Sequence, residues 1–326
     1  MTRRERVMAA LAGEPVDRVP VSLWLHNFAT ENFAADLAAE TIRLSRRFDW
    51  DFLKPQSRAQ CFAEMWGLTY TPSLERATPY RVTRAPFSHA DDLRALEPAD
   101  PTTGALAEQL RALRSIRLAV GDDTPIIWTV FSPLMVLPFL LEGGKMQAVD
   151  LMRSEPEAVD HALAGMAVTL AEYARAAVEA GADGLFYATN MATRALSTPL
   201  ECRRFQRPYD LDILGQVSDA PFNVLHVCGE HVLFDEFADY PFAALSWATV
   251  ESNPSLAEAH RRTGRAVIGG LPAKPVIRDL PPAEVEARGR RAIDEMGGRF
   301  LLLGPDCSID PDTPDAVMDG AGAAVR

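Results

Sequence analysis

Short apolar runs alternate along the chain with longer segments in which apolar side chains recur every three or four positions. Each run is bounded by turn residues and is almost continuously apolar, which is typical of a strand that is covered on both faces. Eight such strands are predicted, near residues 19–24, 51–54, 126–130, 184–187, 222–227, 243–247, 266–269 and 300–303.

The segments between these runs predict amphipathic helices. The clearest one spans 155–180, where Ser154 and Glu157 have the spacing of a capping box and Gly181 fits the C-terminal cap. Further helices are predicted at 3–11, 31–48, 105–120, 199–217, 255–262 and 281–296.

Strands that alternate with helices pair in parallel, and eight of them over this length favour a barrel. We therefore predict an α/β fold, a single (β/α)8 TIM-type barrel domain over residues 1–326 with N-terminal helical elaborations. The stretch 56–123 has few strand signals and is expected to form a loop with helices on the rim of the barrel. A doubly wound sheet is the alternative fold, although no Gly-x-Gly-x-x-Gly follows a strand.

One segment has the length of a membrane span, because residues 124–141 include no charged side chain. Two prolines inside it, Pro133 and Pro138, would break a single helix. The segment is therefore predicted to be a buried strand, a turn and a short apolar helix.

The formal net charge of −12 argues against a general nucleic-acid-binding protein, which needs a basic surface. No apolar secretory segment follows the charged start of the chain. The four cysteines are too few and too far apart for a disulfide framework. We therefore expect a cytoplasmic protein with free thiols and with neither a nucleic-acid nor a membrane partner.

Three residues at predicted strand ends have the chemistry of a zinc site. His226 and Cys228 are two positions apart on one strand and so point to the same face, while Cys307 follows the last strand. One imidazole and two thiolates suit Zn²⁺, and three protein ligands leave a coordination position open, as in catalytic zinc sites. The alternative is a hydrogen-bonded core histidine beside buried cysteines. His231 offers a competing Cys-x-x-His pairing.

Other polar residues also follow predicted strands. His26, Asn27 and Asn190 are candidates for contact with a substrate, and their alternative roles are those of turn and loop residues. Glu230 and Asp306 are candidates for a fourth ligand or for support of the zinc ligands. The remaining cysteines, Cys61 and Cys202, have no partner at ligand spacing and are expected to be buried.

Several short motifs, in their order and separation, resemble the uroporphyrinogen decarboxylase superfamily. They are Arg-Glu-Arg-Val at 4–7, Asp-Arg-Val-Pro-Val at 17–21, Phe-Ser-Pro at 131–133, Ala-Gly-Ala-Asp-Gly at 180–184, His-Val-Cys-Gly at 226–229 and Leu-Gly-Pro-Asp-Cys at 303–307. The resemblance covers essentially the whole chain and implies a single (β/α)8-type barrel.

The motifs favour one branch of that superfamily. Its decarboxylases carry a Met-Arg-Gln-Ala-Gly-Arg-Tyr motif after the first strand, whereas this chain has Leu-His-Asn-Phe-Ala at 25–29 and Lys54 near the position expected for the catalytic aspartate. The zinc-dependent methylcobamide methyltransferases carry a His-x-Cys and a distant Cys, which match His226, Cys228 and Cys307.

The resemblance to that branch implies methyl transfer between a corrinoid, supplied as methylcobalamin by a corrinoid-binding partner protein, and a small-molecule donor or acceptor within a demethylation system. Zinc would deprotonate an acceptor thiol, which is a poor nucleophile while it is protonated. Fold-level analogy suggests a homodimer. The alternatives are a cofactor-free decarboxylase that acts on a small carboxylated substrate and a binding barrel without catalysis.

A shared zinc sets a geometric expectation. With Zn–S bonds near 2.3 Å and a tetrahedral angle, the sulfurs of Cys228 and Cys307 must lie about 3.5–4 Å apart. These residues are 79 positions apart in the chain, so only closure of the barrel can bring them together. The ring nitrogen of His226 that does not bind metal is expected to contact a carboxylate, a carbonyl or water.

Overall fold

The computed structural model describes residues 1–250 and 252–326. Within them the chain forms eight strands: β1 (Thr69–Thr71), β2 (Arg81–Arg84), β3 (Ile127–Phe131), β4 (Gly184–Thr189), β5 (Val224–Val227), β6 (Ala244–Trp247), β7 (Ala266–Leu271) and β8 (Leu301–Pro305). Strands β3 to β8 form one parallel sheet in chain order, while β1 and β2 form a separate antiparallel hairpin. The six strands of the parallel sheet are those predicted from the apolar runs.

Two further segments close the sheet into a barrel. Val21 pairs in parallel with Leu303 on β8, and Leu53 pairs in parallel with Ile126 beside β3. The segments at 19–24 and 51–54 are therefore where the barrel prediction places them, but each forms isolated bridges and not a full strand. Pro20 has no N–H to donate, which shortens the ladder of the first segment.

Helices follow the strands and enclose the barrel. They are α1 (Arg3–Ala12), α2 (Ala34–Phe48), α3 (Cys61–Glu64), α4 (Ala90–Arg94), α5 (Gly104–Val120), α6 (Pro133–Leu140), α7 (Gly144–Ser154), α8 (Pro156–Glu179), α9 (Pro199–Phe205), α10 (Arg207–Gly215), α11 (Leu256–Thr263), α12 (Pro282–Met296) and α13 (Asp315–Ala324), with 3-10 helices at Phe234–Phe237 and Ile277–Asp279. The predicted rim stretch 56–123 includes the short elements α3, β1, β2 and α4, followed by the longer helix α5.

The predicted capping box at the start of the longest helix is wrong. Ser154 is the last residue of α7, and its hydroxyl donates to the Asp150 carbonyl oxygen at 2.9 Å. Glu155 caps α8 without a side-chain hydrogen bond, and Pro156 occupies the first turn, where a missing N–H costs little. The spacing of Ser154 and Glu157 therefore does not identify the cap, because a preceding helix already includes the serine.

The predicted helix at 199–217 is divided into α9 and α10. Pro208 lies in the first turn of α10, and the break falls at Gln206, whose φ of −111° and ψ of −62° depart from regular helix. A proline within a longer helix would clash with the carbonyl four residues earlier, so the chain begins a new helix instead. The uncharged segment 124–141 forms β3 and the short α6, as predicted.

In the part of the chain that the structure describes, no helix combines the length and the apolar character needed to cross a bilayer.

A buried carboxylate links the two bridging segments at the amino-terminal end of the barrel. Asp51 is fully buried and accepts hydrogen bonds from Arg6 at 2.7 Å, from Arg18 at 2.5 and 2.9 Å, and from the Val21 backbone N–H at 2.9 Å. The Asp51 backbone N–H in turn donates to the Val21 carbonyl oxygen at 2.9 Å. Side-chain bonds thus join two segments that have few ladder bonds of their own.

The Ala-Gly-Ala-Asp-Gly motif has a similar structural role before β4. The Asp183 carboxylate accepts hydrogen bonds from Arg4 on α1 and Arg117 on α5, both at 2.6 Å, and from the Ile126 backbone N–H at 2.7 Å. Gly184 follows because a Cβ there would lie 2.3 Å from the Phe222 carbonyl group. The motif therefore fastens two helices to the sheet and does not reach the opposite end of the barrel.

We expect the substitution Asp51→Asn to lower the free energy of unfolding by about 3 kcal/mol, because it removes the buried counter-charge that Arg6 and Arg18 share. Asp319→Asn is the matched control, since Asp319 pairs with Arg47 at the surface and such pairs contribute about 1 kcal/mol or less. Urea denaturation of both variants measures the difference. Equal losses of unfolding free energy in the two variants would show that the Asp51 network does not stabilise the closed barrel.

Candidate metal centre at the carboxyl end of the barrel

The strands end around one opening, which we call the mouth of the barrel. His226 lies on β5, Cys228 immediately follows that strand, and Cys307 follows β8. The Cys228 backbone N–H donates to the Thr189 carbonyl oxygen at 2.8 Å, which extends the pairing with β4 by one residue. Gly229 then adopts a φ of +120°, which a residue with a side chain rarely adopts, and the chain turns away after the cysteine.

The structure brings the three predicted ligands together. The sulfurs of Cys228 and Cys307 are 3.8 Å apart, within the separation expected for two ligands of one zinc ion. One ligand atom from each of His226, Cys228 and Cys307 lies within 4.8 Å of the other two. We refer to these three residues as the His-Cys-Cys cluster.

Ser246 orients the imidazole of His226. Its hydroxyl lies 3.1 Å from Nδ1, and the two residues are register partners on the paired strands β5 and β6. The other ring nitrogen, Nε2, is buried without a hydrogen-bond partner. A buried ring nitrogen without a hydrogen-bond partner costs free energy unless it binds another group. The position of Nε2 beside two thiols therefore fits the role of a metal ligand. The expected carboxylate, carbonyl or water at the other nitrogen is replaced by a hydroxyl.

The two thiols differ in acidity because they share a hydrogen bond. The hydrogen bond between the two sulfurs, in which either can be the donor, holds the pKa of Cys307 well below its ordinary value, and His226 adds to this effect while burial opposes it. The same hydrogen bond, together with burial, raises the pKa of Cys228. One imidazole and two soft sulfur donors are a ligand set that suits Zn²⁺.

The other two cysteines lie in the hydrophobic core, as expected. Both are almost fully buried. Burial raises the pKa of Cys202 to about 12 and raises that of Cys61 further still. These thiols therefore stay protonated at neutral pH and behave as small apolar side chains.

His26 and Asn27 follow the first bridging segment and belong to a network around the buried Glu31. Nδ1 of His26 contacts Glu31 at 2.8 Å, and Nε2 accepts a hydrogen bond from the Gln56 amide at 2.9 Å. The backbone N–H of Asn27 donates to Glu31 at 2.8 Å, and its side-chain amide donates to Glu40 at 3.1 Å. Both ring nitrogens of His26 are thus engaged, whereas Asn27 Oδ1 is buried without a partner.

Asn190 follows β4 at the mouth. Its backbone carbonyl oxygen accepts a hydrogen bond from Lys145 Nζ at 3.2 Å, and its side-chain Oδ1 is buried without a hydrogen-bond partner. Within the described residues, neither Asn190 nor His26 makes a hydrogen bond to the His-Cys-Cys cluster. The predicted substrate-contact residues therefore lie outside the cluster.

Lys54 is a residue of the mouth to which the sequence assigned no role. It is 6% exposed, its ammonium donates to Gln56 Oε1, and its Nζ lies 4.8 Å from the centre of the Phe186 ring. Phe186 in turn stacks on His226 with the ring centres 5.0 Å apart. Burial lowers the pKa of Lys54 to about 7. The sequence places Lys54 only near the position expected for the catalytic aspartate of the decarboxylases.

The remaining candidates lie outside the cluster. Both oxygens of Asp306 accept from the Thr249 hydroxyl, at 2.8 and 2.9 Å, and burial raises the pKa of this carboxyl to about 6. Glu230 is exposed, and His231 is exposed with its backbone N–H bonded to Ser252. Cys228 therefore shares its site with Cys307 and not with His231, because barrel closure decides the pairing.

Comparison with known proteins agrees with this architecture. The family model for uroporphyrinogen decarboxylase (URO-D) matches residues 2–326. A methyltransferase from Methanosarcina mazei superposes with a TM-score of 0.85 at 23% identity, over 99% of this chain and 98% of that one. The superposition confirms the predicted barrel fold.

Two relatives of different activity match most of the chain. The methylcobamide:CoM methyltransferase MtaA of Methanosarcina barkeri (strain Fusaro / DSM 804) is 26% identical over 333 residues, which cover 96% of this chain and 94% of that protein. A uroporphyrinogen decarboxylase of Edwardsiella ictaluri (strain 93-146) is also 26% identical, over 342 residues that cover 96% and 93%. Identity alone does not choose between these two activities, so the choice depends on the site.

In metal-free protein, we expect iodoacetamide to alkylate Cys307 at least about 10-fold faster than Cys61 or Cys202, because the accessible thiolate is the reactive form. Peptide mapping by mass spectrometry measures the rate at each cysteine. The unfolded chain, in which all four thiols react alike, is the control. Alkylation of Cys61 at the rate of Cys307 in folded protein would contradict the described environments.

Proposed function

The chain belongs to the uroporphyrinogen decarboxylase family, and from that premise we propose that it is a zinc-dependent methyltransferase that works with a corrinoid protein. It would move a methyl group between the corrinoid and a small thiol, or another small donor or acceptor, as part of a demethylation system. The observation that carries the proposal is the His-Cys-Cys cluster, whose two sulfurs lie 3.8 Å apart. The relative named a methylcobamide:CoM methyltransferase adds support.

The proposed zinc ligands are His226 through Nε2, and Cys228 and Cys307 through their sulfurs. Zinc, when bound there, would lower the pKa of a thiol in its open position and so supply a thiolate at neutral pH. Ser246 holds the imidazole of His226 so that its Nε2 faces the sulfurs. The hydrogen bond between the cysteines favours the deprotonated form of Cys307, which is the form that a metal needs.

We propose that His26, Asn27 and Asn190 contact the small substrate. The amide oxygens of Asn27 and Asn190 are buried and accept no hydrogen bond, so each could accept one from a substrate. His26 has both ring nitrogens engaged, so its proposed part is to keep Gln56 in place beside the substrate. A corrinoid domain would approach the mouth, where the strand ends leave the cluster partly accessible.

Decarboxylation is the competing activity, because a relative of equal identity is a uroporphyrinogen decarboxylase. The buried ammonium of Lys54 could hold a substrate carboxylate. The paired cysteines have no part in a cofactor-free decarboxylation, however, and that favours methyl transfer. Decarboxylation of uroporphyrinogen by the purified protein, without a requirement for zinc, would overturn the proposal.

We expect Cys307→Ser to reduce zinc affinity by more than about 100-fold, because loss of a ligand costs more than the 10- to 100-fold typical of a supporting residue. Methyl transfer from methylcobalamin to a thiol should be lost as well. Cys61→Ser is the control and should change neither quantity. Zinc content by mass spectrometry, the transfer assay and circular dichroism separate loss of the site from loss of the fold.

Ser246→Ala should weaken zinc binding by about 10-fold, because His226 loses the hydroxyl that orients its ring. Competition with a chelator of known affinity measures the change. Ser115→Ala, which removes an exposed hydroxyl on α5, is the matched control. If wild-type protein purified without chelator holds less than about a third of an equivalent of zinc and gains none when zinc is added, the metal proposal is wrong.

A further inference from the structure

A carboxyl group without a cation lies buried between the barrel wall and the outer helices. Asp210, in the first turn of α10, is fully buried. The Tyr187 hydroxyl on β4 donates to one of its oxygens at 2.5 Å, and the Tyr240 hydroxyl donates to the other at 3.3 Å. In the described ranges 1–250 and 252–326, no basic side chain lies within ion-pair distance of this carboxylate.

The surroundings of Asp210 give it no compensating charge. Arg207 on the same helix lies over the Tyr240 ring and pairs with Asp239, while Arg203 pairs with Glu236. The titratable and charged side chains that face this region from the packed elements are Tyr187 on β4, Cys202 and Arg203 on α9, Arg207 on α10, Glu236 in the 3-10 helix and Tyr240 after it. The carboxylate therefore depends on neutral donors alone.

Stability does not account for a carboxyl group at this position. Burial raises the pKa of Asp210 to about 7, although hydrogen bonds from its three donors oppose the shift. The buried carboxylates of Asp51 and Asp183, in contrast, each pair with arginines. An asparagine of the same shape would avoid the cost of burying an unpaired charge. The carboxyl group therefore calls for a role that an amide does not fill.

Hydrogen bonds connect Asp210 to Cys228 of the His-Cys-Cys cluster. Gln206 Nε2 donates to Asp210 at 2.7 Å, and Gln206 Oε1 accepts from the Thr189 hydroxyl at 2.9 Å. Thr189 is the last residue of β4, and its carbonyl oxygen accepts from the Cys228 backbone N–H at 2.8 Å. Gln206 and Thr189 are both buried, so water does not compete for these bonds.

The charge of Asp210 sets the direction of the bonds. An ionised carboxylate only accepts, so the Gln206 amide must turn its NH2 group towards Asp210 and its oxygen towards Thr189. A protonated carboxyl also donates, which allows the amide to turn over so that Oε1 accepts from Asp210 and Nε2 faces Thr189. The buried Thr189 hydroxyl then loses the acceptor of its proton, which costs free energy. Proton uptake thus weakens the hold on the end of β4.

We propose that Asp210 is a positioning residue for the His-Cys-Cys cluster. The ionised carboxylate fixes Gln206 and Thr189, and thereby Cys228, and uptake of one proton releases this hold. Metal binding at the cluster is therefore coupled to pH through a carboxyl group that contacts none of the three ligands. The inference rests on the proposed function only for the identity of the metal.

Zinc affinity at two pH values tests the coupling. Asp210→Asn imitates the protonated carboxyl, because an amide donates as well as accepts. We expect the variant to bind zinc about 10-fold more weakly than wild type at about pH 8.5 and equally well at about pH 6, on either side of the pKa of Asp210. Competition with a chelator measures both. Asp212→Asn, which removes an exposed carboxylate from the same helix, is the control and should match wild type. Equal affinities of Asp210→Asn and wild type at both pH values would overturn the inference.

Gln206→Met tests whether the effect passes through the amide, which this substitution removes while Asp210 stays in place. In the Gln206→Met background, Asp210→Asn should cause no further loss of zinc affinity at the higher pH, because the two residues act in one path. An undiminished effect of Asp210→Asn in that background would show that the path is wrong.

The absorption of Co²⁺ bound in place of zinc reports ligand geometry, which a loss of stability alone would not change. The spectrum of wild type should change between the two pH values more than that of Asp210→Asn. The same pH-dependent change in both proteins would contradict the coupling.

Thermal unfolding of metal-free protein tests whether Asp210 changes charge in the folded chain. Its pKa is about 7 in the folded protein, above the value of about 4 of an unfolded aspartate, so the folded protein holds the proton more tightly. The melting temperature of wild type should therefore fall relative to that of Asp210→Asn as the pH rises from about 4 to about 7, and the difference should then stay level. A difference that does not depend on pH would overturn the inference.

Alkylation separates this inference from the proposed function. In metal-free protein at the higher pH, iodoacetamide should modify Cys228 at least about 3-fold faster in Asp210→Asn than in wild type, because the end of β4 is held less tightly. At the lower pH the two rates should be equal. If Asp210 controls this rate but zinc does not bind, the positioning role stands and the metal proposal fails. If zinc binds and neither its affinity nor this rate depends on Asp210, the positioning role is wrong and the metal proposal stands.

Discussion

The buried carboxylate of Asp51 replaces, at the seam of the barrel, the ladder of backbone hydrogen bonds that joins the other strands. Two bridging segments close the barrel, and Asp51 holds them through Arg6, Arg18 and the Val21 backbone. Closure of the barrel also fixes which residues lie at its opposite end, the mouth. It sets β8, and with it Cys307, against the first segment, and it brings Lys54 to the mouth only three residues after Asp51.

Much of this site follows from two simple regularities of the sequence. Apolar runs located the six strands of the parallel sheet, and the two-residue spacing of His226 and Cys228 placed both on one face. The convergence of Cys307 followed from the expectation that all strand ends of a barrel meet at one mouth. These inferences succeed because burial and alternation are local properties that the sequence shows directly.

The residues that the sequence did not reveal depend on register and closure. Ser246 supports His226 because the two are partners across β5 and β6, and no local pattern states that register. The burial of Lys54 depends on which side chains pack together in the folded barrel, and the sequence does not show this. The helices α7 and α13 were not predicted, because a glycine begins α7 and a proline precedes α13. Ser154 shows the opposite error, because it has the spacing of a capping residue with Glu157 but is the last residue of the preceding helix α7.

Thirty of the 33 basic residues are arginines and only Lys54, Lys145 and Lys274 are lysines, which has a practical consequence. Reagents that acylate primary amines discriminate strongly between lysine and the guanidinium of arginine, which stays protonated in proteins. In this chain such a reagent meets only the N-terminal amine and three lysines, and Lys274 is the exposed one among these lysines. A fluorophore or a surface tether coupled through amines would therefore report from the rim of the mouth without the introduction of any new residue.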